Sequence, residues 1–325
     1  MPDTQDIPYA TLEQAAEWYA TLRADAVDEN ERRRWQEWLA RDAGNRRAWA
    51  RVEAISHNVA IARQTPDASG AALQAASAQR QRRKLGKTLA LAAITTGLGW
   101  QLARHEEVQV ALAGLGASHR VGVGERGETV LADGTQLWLD SGTVLDERFD
   151  DALRLVVLHR GEILLQSGQD ARRPLVVRSR QGRMRALGTR FQVRQFDGIT
   201  RLGVSEGRVE VTPLDAHGPM LVVEAGQEVT FTRSRISTAA PLPAAREAWT
   251  RGMLIADDLP MQDFLAELSR YRHGHLGCDP AIARLRVVGA FPIHDTGQAL
   301  AMLEAALPVQ ARQVLPWWVS VGPRK

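Results

Sequence analysis

The sequence predicts a multi-domain chain: a small all-α domain, one membrane-crossing helix, an all-β domain and an α+β tail. Three observations carry this prediction. Four of the nine tryptophans, Trp18, Trp35, Trp38 and Trp49, fall in the first 50 residues on helix-spaced stripes. An uncharged run, Thr88 to Ala103, follows a basic cluster. Beyond it, Gly-containing turn signals recur between short β-rich runs. The resulting bounds are 1–63 for the helical domain, 64–84 for a linker, 85–104 for the membrane helix, 108–240 for the β domain and 249–325 for the tail.

The first helix is expected over Thr11–Arg23, with Leu12, Ala15, Trp18, Tyr19 and Leu22 on one stripe. Asp28 followed by Glu31 is a capping-box-like start for the second. Trp35, Trp38 and Leu39 form its i, i+3, i+4 face, and Arg32, Arg33 and Arg34 take the wet side. Asp42-Ala43-Gly44-Asn45 stops that helix and caps a third, which carries Trp49, Val52, Ile55 and Val59. Filling the core is the plainer role for most of these tryptophans; a partner-docking face is the sharper one. No cluster of Ser, His, Cys or paired carboxylates in this domain points to catalysis. Residues 64–79 read as a low-complexity linker.

Sixteen uncharged residues rise only about 24 Å as a helix, against a hydrocarbon core of about 30 Å. Length alone leaves a buried soluble helix in contention. Leu85 and Gly86 lengthen the run, Lys87 can snorkel, and Trp100 sits where an interfacial aromatic belongs. Arg80, Arg82, Arg83, Lys84 and Lys87 precede the run, while Glu106 and Glu107 follow it. By the positive-inside rule the N-terminal side stays in the cytoplasm. Arg82-Arg83 also resembles a twin-arginine export signal.

The 325 residues suffice for two or three cores, and the 44% apolar and 24% charged composition is ordinary for globular domains. A formal charge of +3 is too small for the basic pI to argue for nucleic acid. Cys278 is the one cysteine, which excludes an internal disulfide and a cysteine-based zinc knuckle.

In the β domain the turn signals are Asp133-Gly134, Ser141-Gly142, Arg160-Gly161, Gln181-Gly182, Asp197-Gly198, Glu206-Gly207 and Ala225-Gly226. Between them lie Gln136–Leu139, Leu153–Leu158, Leu175–Val177, Phe191–Val193, Arg208–Val211 and Glu228–Thr232. A sandwich, a barrel and a β-solenoid all fit this pattern. Residues 172–194 carry eight arginines and no acid. Arg178 and Arg180 are expected on one strand face, and Arg183 with Arg185 across the turn, as a solvated hairpin or as an edge facing an acidic partner.

In the tail, Met253–Ile255 reads as a strand and Leu259-Pro260 opens a helix with Phe264, Leu265, Leu268 and Tyr271. Leu285–Val288 with Phe291 is a second strand, Asp295–Leu307 a second helix, and Gln310–Val314 and Trp317–Val321 close as strands. The tandem βαβ pattern resembles the short domain of secretins and TonB-dependent receptors. His273, His275, Cys278 and His294 form no clean metal pattern, and a polar loop is expected there.

Five motifs in order resemble the FecR family of sigma-factor regulators. They are V-L-A-D-G-T-x-L-W-L-D-S-G-T (Val130–Thr143), L-x-x-G-E-I-L-L (Leu158–Leu165), R-P-L-V-V (Arg173–Val177), A-L-G-T-R-F-Q-V (Ala186–Val193) and V-S-E-G-R-V-E-V (Val204–Val211). The N-terminal pattern of Trp18, Trp35, Trp38, Leu39, Asp42, Asn45, Ala48 and Trp49 is similar to that family's cytoplasmic domain. The resemblance implies a single-pass inner-membrane protein with a cytoplasmic N-terminus. Its helical domain would hold an extracytoplasmic-function sigma factor, as anti-sigma factor or activator, through Trp18, Trp35, Trp38, Leu39 and Trp49. Its periplasmic part would meet the signalling domain of a TonB-dependent outer-membrane receptor, typically for an iron siderophore, and an intramembrane protease would release the inner fragment. No cofactor, metal or direct nucleic-acid contact is implied.

Some members of this family cut themselves at a Gly-Thr bond in the A-L-G-T segment, which corresponds to Gly188-Thr189 here. A threonine hydroxyl can attack a strained preceding carbonyl to give an ester that water opens. A glycine turn leading into a strand explains the same pair equally well. This single-turnover step aside, the chain is not expected to be an enzyme. A membrane-anchored β domain that binds glycan or peptidoglycan is the competing function, and a periplasmic hydrolase a third. The former needs aromatic platforms and the latter a catalytic constellation that these residues do not assemble.

Overall fold

The computed structural model describes residues 7–23, 28–64, 117–170, 172–196, 198–215 and 220–324. The expected span at 85–104, most of the linker and Arg82-Arg83 lie outside them. The chain forms two compact units, Met1–Ala68 with Gly252–Lys325, and Ser69–Arg251.

The second unit is all β. Its strands are β1 (His119–Arg120), β2 (Gly127–Val130), β3 (Gln136–Leu139), β4 (Val144–Phe149), β5 (Arg154–Gln166), β6 (Leu175–Arg178) and β7 (Gly182–Ala186). They continue as β8 (Arg190–Gln195), β9 (Thr200–Glu206), β10 (Arg208–Pro213), β11 (Leu221–Glu224), β12 (Gln227–Phe231) and β13 (Ala240–Pro241). The central path runs β11-β10-β7-β6-β5-β8-β9-β12-β13. The first half of β5 pairs with β4 and β6, and its second half with β3 and β8. One long strand therefore belongs to two half-sheets. Strict alternation along β7 and β10 aims Met184, Ala186, Val209 and Val211 inward. They join Leu137, Ile163, Leu165, Phe191, Val193 and Phe231 from the other half-sheet in one core. The sequence left sandwich and solenoid open; this shared core joins the two half-sheets face to face.

The strand change in β5 turns on Gly161. Its φ is +97°, and a Cβ there would lie 2.6 Å from the Thr143 backbone. Thr143 is fully buried, its hydroxyl donates to the Glu162 carbonyl at 3.0 Å, and the Glu162 amide donates back at 3.1 Å. A buried ion pair closes the other end of β5. Arg154 donates to Asp133 at 2.5 Å, with side chains only 5% and 1% exposed. The same guanidinium reaches the carbonyls of Arg173, Gly168 and Asp170. Burial raises the Asp133 pKa, but the Thr135 hydroxyl and amide and Arg154 hold it below the usual carboxylate range.

The first unit begins with α1 (Tyr9–Thr21), α2 (Glu29–Arg41) and α3 (Ala43–Gln64). The first helix starts two residues earlier than the sequence suggests, because Pro8 sets its entry. Asp28 caps α2 as expected, accepting from the Glu31 amide at 2.7 Å. The tail supplies β14 (Met253–Pro260), α4 (Met261–Leu268), β15 (His275–Cys278), β16 (Arg286–Pro292), α5 (Thr296–Ala306), β17 (Val309–Leu315) and β18 (Trp318–Pro323). The stretch expected as a polar loop is instead β15, which pairs in parallel with β18. It is short, and its Gly277 and His275 hide its β character in the sequence.

The domain bounds read from the sequence keep 1–63 and 249–325 apart, whereas here they share a core. Ala15, Ala16, Tyr19, Trp38, Ala48, Val52 and Val59 cluster with Trp317 and Trp318. The Tyr19 ring meets Trp317 edge-on at 5.6 Å, and Trp318 stacks on His275 at 3.9 Å. Two indoles at the β17–β18 turn present more apolar area than the small tail can cover, and the helices cover it.

Removing one partner of a buried ion pair leaves the other uncompensated. Arg154→Met is therefore expected to lower the stability of the β domain by about 3 kcal/mol, read by urea unfolding at pH 7. Burial first, then Arg51 and Arg272, bring the His275 pKa down to about 4. The fold thus favours neutral imidazole, so this contribution is complete above the unfolded value near 6.5 and is lost as pH falls toward 4. The thermal stability of the chain should fall as pH drops from 6.5 to 5, and His275→Gln should flatten that slope.

Candidate functional site

The Gly188-Thr189 peptide sits between the end of β7 and the start of β8. Gly188 has φ +78°, with no atom within 4 Å of where a Cβ would stand. A side chain there is disfavoured by backbone conformation alone. Thr189 is 4% exposed. Its amide donates to the Ser167 hydroxyl at 2.9 Å, and its carbonyl accepts from the Ser167 amide at 2.9 Å. The loop after β5 therefore clamps Thr189 from both sides. On another side Gly207, with φ +74°, lies so close that a Cβ would fall 2.3 Å from the Gly188 oxygen.

The Thr189 hydroxyl is buried and has no hydrogen-bond partner among the described residues. An unsatisfied buried polar atom costs about 1–3 kcal/mol and calls for an explanation. No side chain among them sits within hydrogen-bond reach of that oxygen to act as a base. What the arrangement offers is a buried hydroxyl on a clamped backbone, next to the carbonyl of a glycine in the left-handed region.

Next to it, Arg190 anchors the strand. It donates to Glu247 at 2.7 Å and to Gln166 at 3.0 Å, and lies 5.0 Å from the Trp138 ring centroid. Glu247 also accepts from the Ser205 hydroxyl. Burial raises the Glu247 pKa, and the Arg190 and Ser205 hydrogen bonds outweigh this to lower it. The sequence indicated Gly188 and Thr189 but not Ser167 or Gly207. Glu206-Gly207 was legible as a turn, yet its approach to Gly188 depends on strand order.

Of the tryptophans expected to dock a partner, Trp38 is buried, and its indole N–H donates to Gln14 at 2.8 Å. Trp18, Trp35, Leu39 and Trp49 are partly buried around the same core. Trp35 lies 5.0 Å from Trp49, and Trp49 lies 5.7 Å from Tyr19, whose hydroxyl donates to Ser56 at 2.5 Å. The Trp35 indole N–H is buried without a partner among the described residues. Asn45 is structural: it donates to the Trp38 carbonyl at 2.7 Å and closes the end of α2.

The arginine-rich hairpin keeps one of its expected faces, with Arg183 and Arg185 both exposed along β7, and loses the other. Arg180 lies in the turn, with its amide bonded to Gln195. Exposed Arg178 stands directly opposite exposed Arg183. Arg173, Arg190 and Arg194 instead pair with Asp170, Glu247 and Glu162. Among the described residues no group of three or more His, Cys, Asp or Glu side chains has metal-binding geometry. Burial and the neighbouring Asp279 push the Cys278 thiol up to about 11, which keeps it protonated at neutral pH.

Comparison with known proteins bears on both units. Residues 117–210 match the family model described as FecR protein, and residues 13–55 match a domain of unknown function, DUF4880. No curated protein matches the chain. Two crystal structures of a putative anti-sigma factor from Parabacteroides distasonis share its fold. The first, at 1.65 Å resolution, gives a TM-score of 0.53 at 22% identity, over 63% of this chain and 98% of that one. The second, at 2.50 Å, gives 0.52 at 23%, over 62% and 96%. The motif order and the two domain matches agree: residues 117–210 form a FecR domain, with a DUF4880 region ahead of it at residues 13–55.

Proposed function

We propose that the chain regulates a sigma factor across the inner membrane. The observation that carries this reading is the pairing of a FecR domain with a Trp-rich helical domain in one chain. The fold likeness to a protein described as a putative anti-sigma factor supports it. In this reading a single span at 85–104 leaves the helices in the cytoplasm and exports the β domain and tail. Trp18, Trp35, Leu39 and Trp49 gather around one core, and their apolar faces suit a sigma-factor helix once the domain is free to present them. The exported part takes its signal from a TonB-dependent receptor serving iron-siderophore uptake, and an intramembrane protease completes release.

The competing glycan-binding reading needs open aromatic platforms. Trp138 is overlain by Arg190, and Phe191 and Phe231 are fully buried. The β domain of the described structure thus offers little for a sugar ring to stack on.

Self-cleavage at Gly188-Thr189 belongs to the same proposal. The Thr189 oxygen adds to the Gly188 carbonyl carbon, the C–N bond breaks, and the proton passes to the freed amine. Water then opens the ester, leaving a Gly188 carboxylate and a Thr189 N-terminus. The turn geometry and the unpartnered hydroxyl favour this step.

Full-length chain made in cells is expected to yield two fragments whose masses place the cut after Gly188. Thr189→Ser should still cut and Thr189→Ala should not; two such fragments from the alanine variant would remove the proposal. An extracytoplasmic-function sigma factor should co-purify with the tagged full-length chain. Trp35→Ala should cut its recovery about tenfold, in line with loss of one interface anchor. Recovery of no sigma factor with the intact chain would defeat the regulatory reading.

A further inference from the structure

The contact between α1 and the tail has the make-up of an interface. Its centre is apolar: Trp318 is fully buried, Trp317 is 8% exposed, and Tyr19 packs edge-on against Trp317. Around that centre the contacts are polar and directional. Glu13 accepts from the Trp318 indole N–H at 3.1 Å and from the Ser320 hydroxyl. At the rim, Arg312 meets Glu17 at 3.3 Å, with side chains 67% and 53% exposed. An apolar centre with a polar, solvent-facing rim is the anatomy of surfaces that also exist apart. The rings are also continuous: Trp35, Trp49, Tyr19, Trp317, Trp318 and His275 touch in sequence.

We propose that this contact is a latch: the tail, seated on α1, masks the helical domain until export carries the tail across the membrane. The proposal rests on the single-span reading above. A chain spanning once at 85–104 holds its first and last segments in different compartments, so one molecule cannot be inserted and latched together. The latched form then belongs to newly made chain. Through Tyr19 and Trp49 it holds Trp35 in place, so the face that would take the sigma factor opens only in inserted molecules. Premature capture of the sigma factor by chains that cannot yet signal is thereby prevented.

The test uses full-length Glu17→Cys/Arg312→Cys chain in a Cys278→Ser background, with a short membrane-permeable bismaleimide. Newly synthesised chain in a pulse-chase should crosslink, and the crosslink should fall to background as the chain matures. The crosslinked fraction should recover no sigma factor, while the uncrosslinked fraction recovers it. Undiminished crosslinking of mature chain would show that both segments share a compartment, overturning the latch together with the single span. Absence of the crosslink both in newly made chain and in detergent-solubilised chain would overturn the latch alone. Equal sigma-factor recovery by both fractions would show that the contact masks nothing, and would likewise overturn it.

Discussion

The row of six rings from Trp35 to His275 is the constraint on which the first unit depends. A three-helix domain this small has too little area to bury its own aromatics. The tail has the same difficulty at the β17–β18 turn, where two indoles stand side by side. Each face solves the other's problem. The hydrogen bonds that Glu13 makes set how the two faces meet, because they are directional where ring packing is not. His275 belongs to the same row, and burial under it disfavours a proton on the imidazole.

The β domain is organised differently, by close backbone approaches between motifs distant in sequence. Gly161 lets Thr143 sit against β5, joining the D-S-G-T and G-E-I-L-L segments. Asp133 of the D-G-T turn holds Arg154, which in turn ties down the loop before R-P-L-V-V. Gly207 of S-E-G-R stacks against Gly188 of A-L-G-T. The family motifs are therefore contact pairs. Gly161 and Gly207 stand at such contacts because a Cβ there would press on the facing backbone.

The same packing shapes the Gly188-Thr189 turn. Glycine in the left-handed region starts the turn, Ser167 holds both backbone groups of Thr189, and the buried hydroxyl has no partner among the described residues. Any of these alone is an ordinary turn feature. Together they are the features on which the proposed self-cleavage rests.

Local pattern by itself determined most of the elements. β-rich runs between turn signals marked β3, β6 and β10, Asp28 and Asp295 marked helix starts, and helical spacing put Trp38 and Val52 inward. Those signals are legible because capping and periodicity act within a few residues. The turn glycines also marked where strands reverse. Only tertiary structure decided which motifs meet, that β5 serves two half-sheets, that Ser167 and Gly207 flank Thr189, and that His275–Cys278 is a strand. It also joined the first and last segments of the chain into one core. These outcomes rest on contacts between residues far apart in the chain, and the energy of such contacts is absent from any local window of sequence.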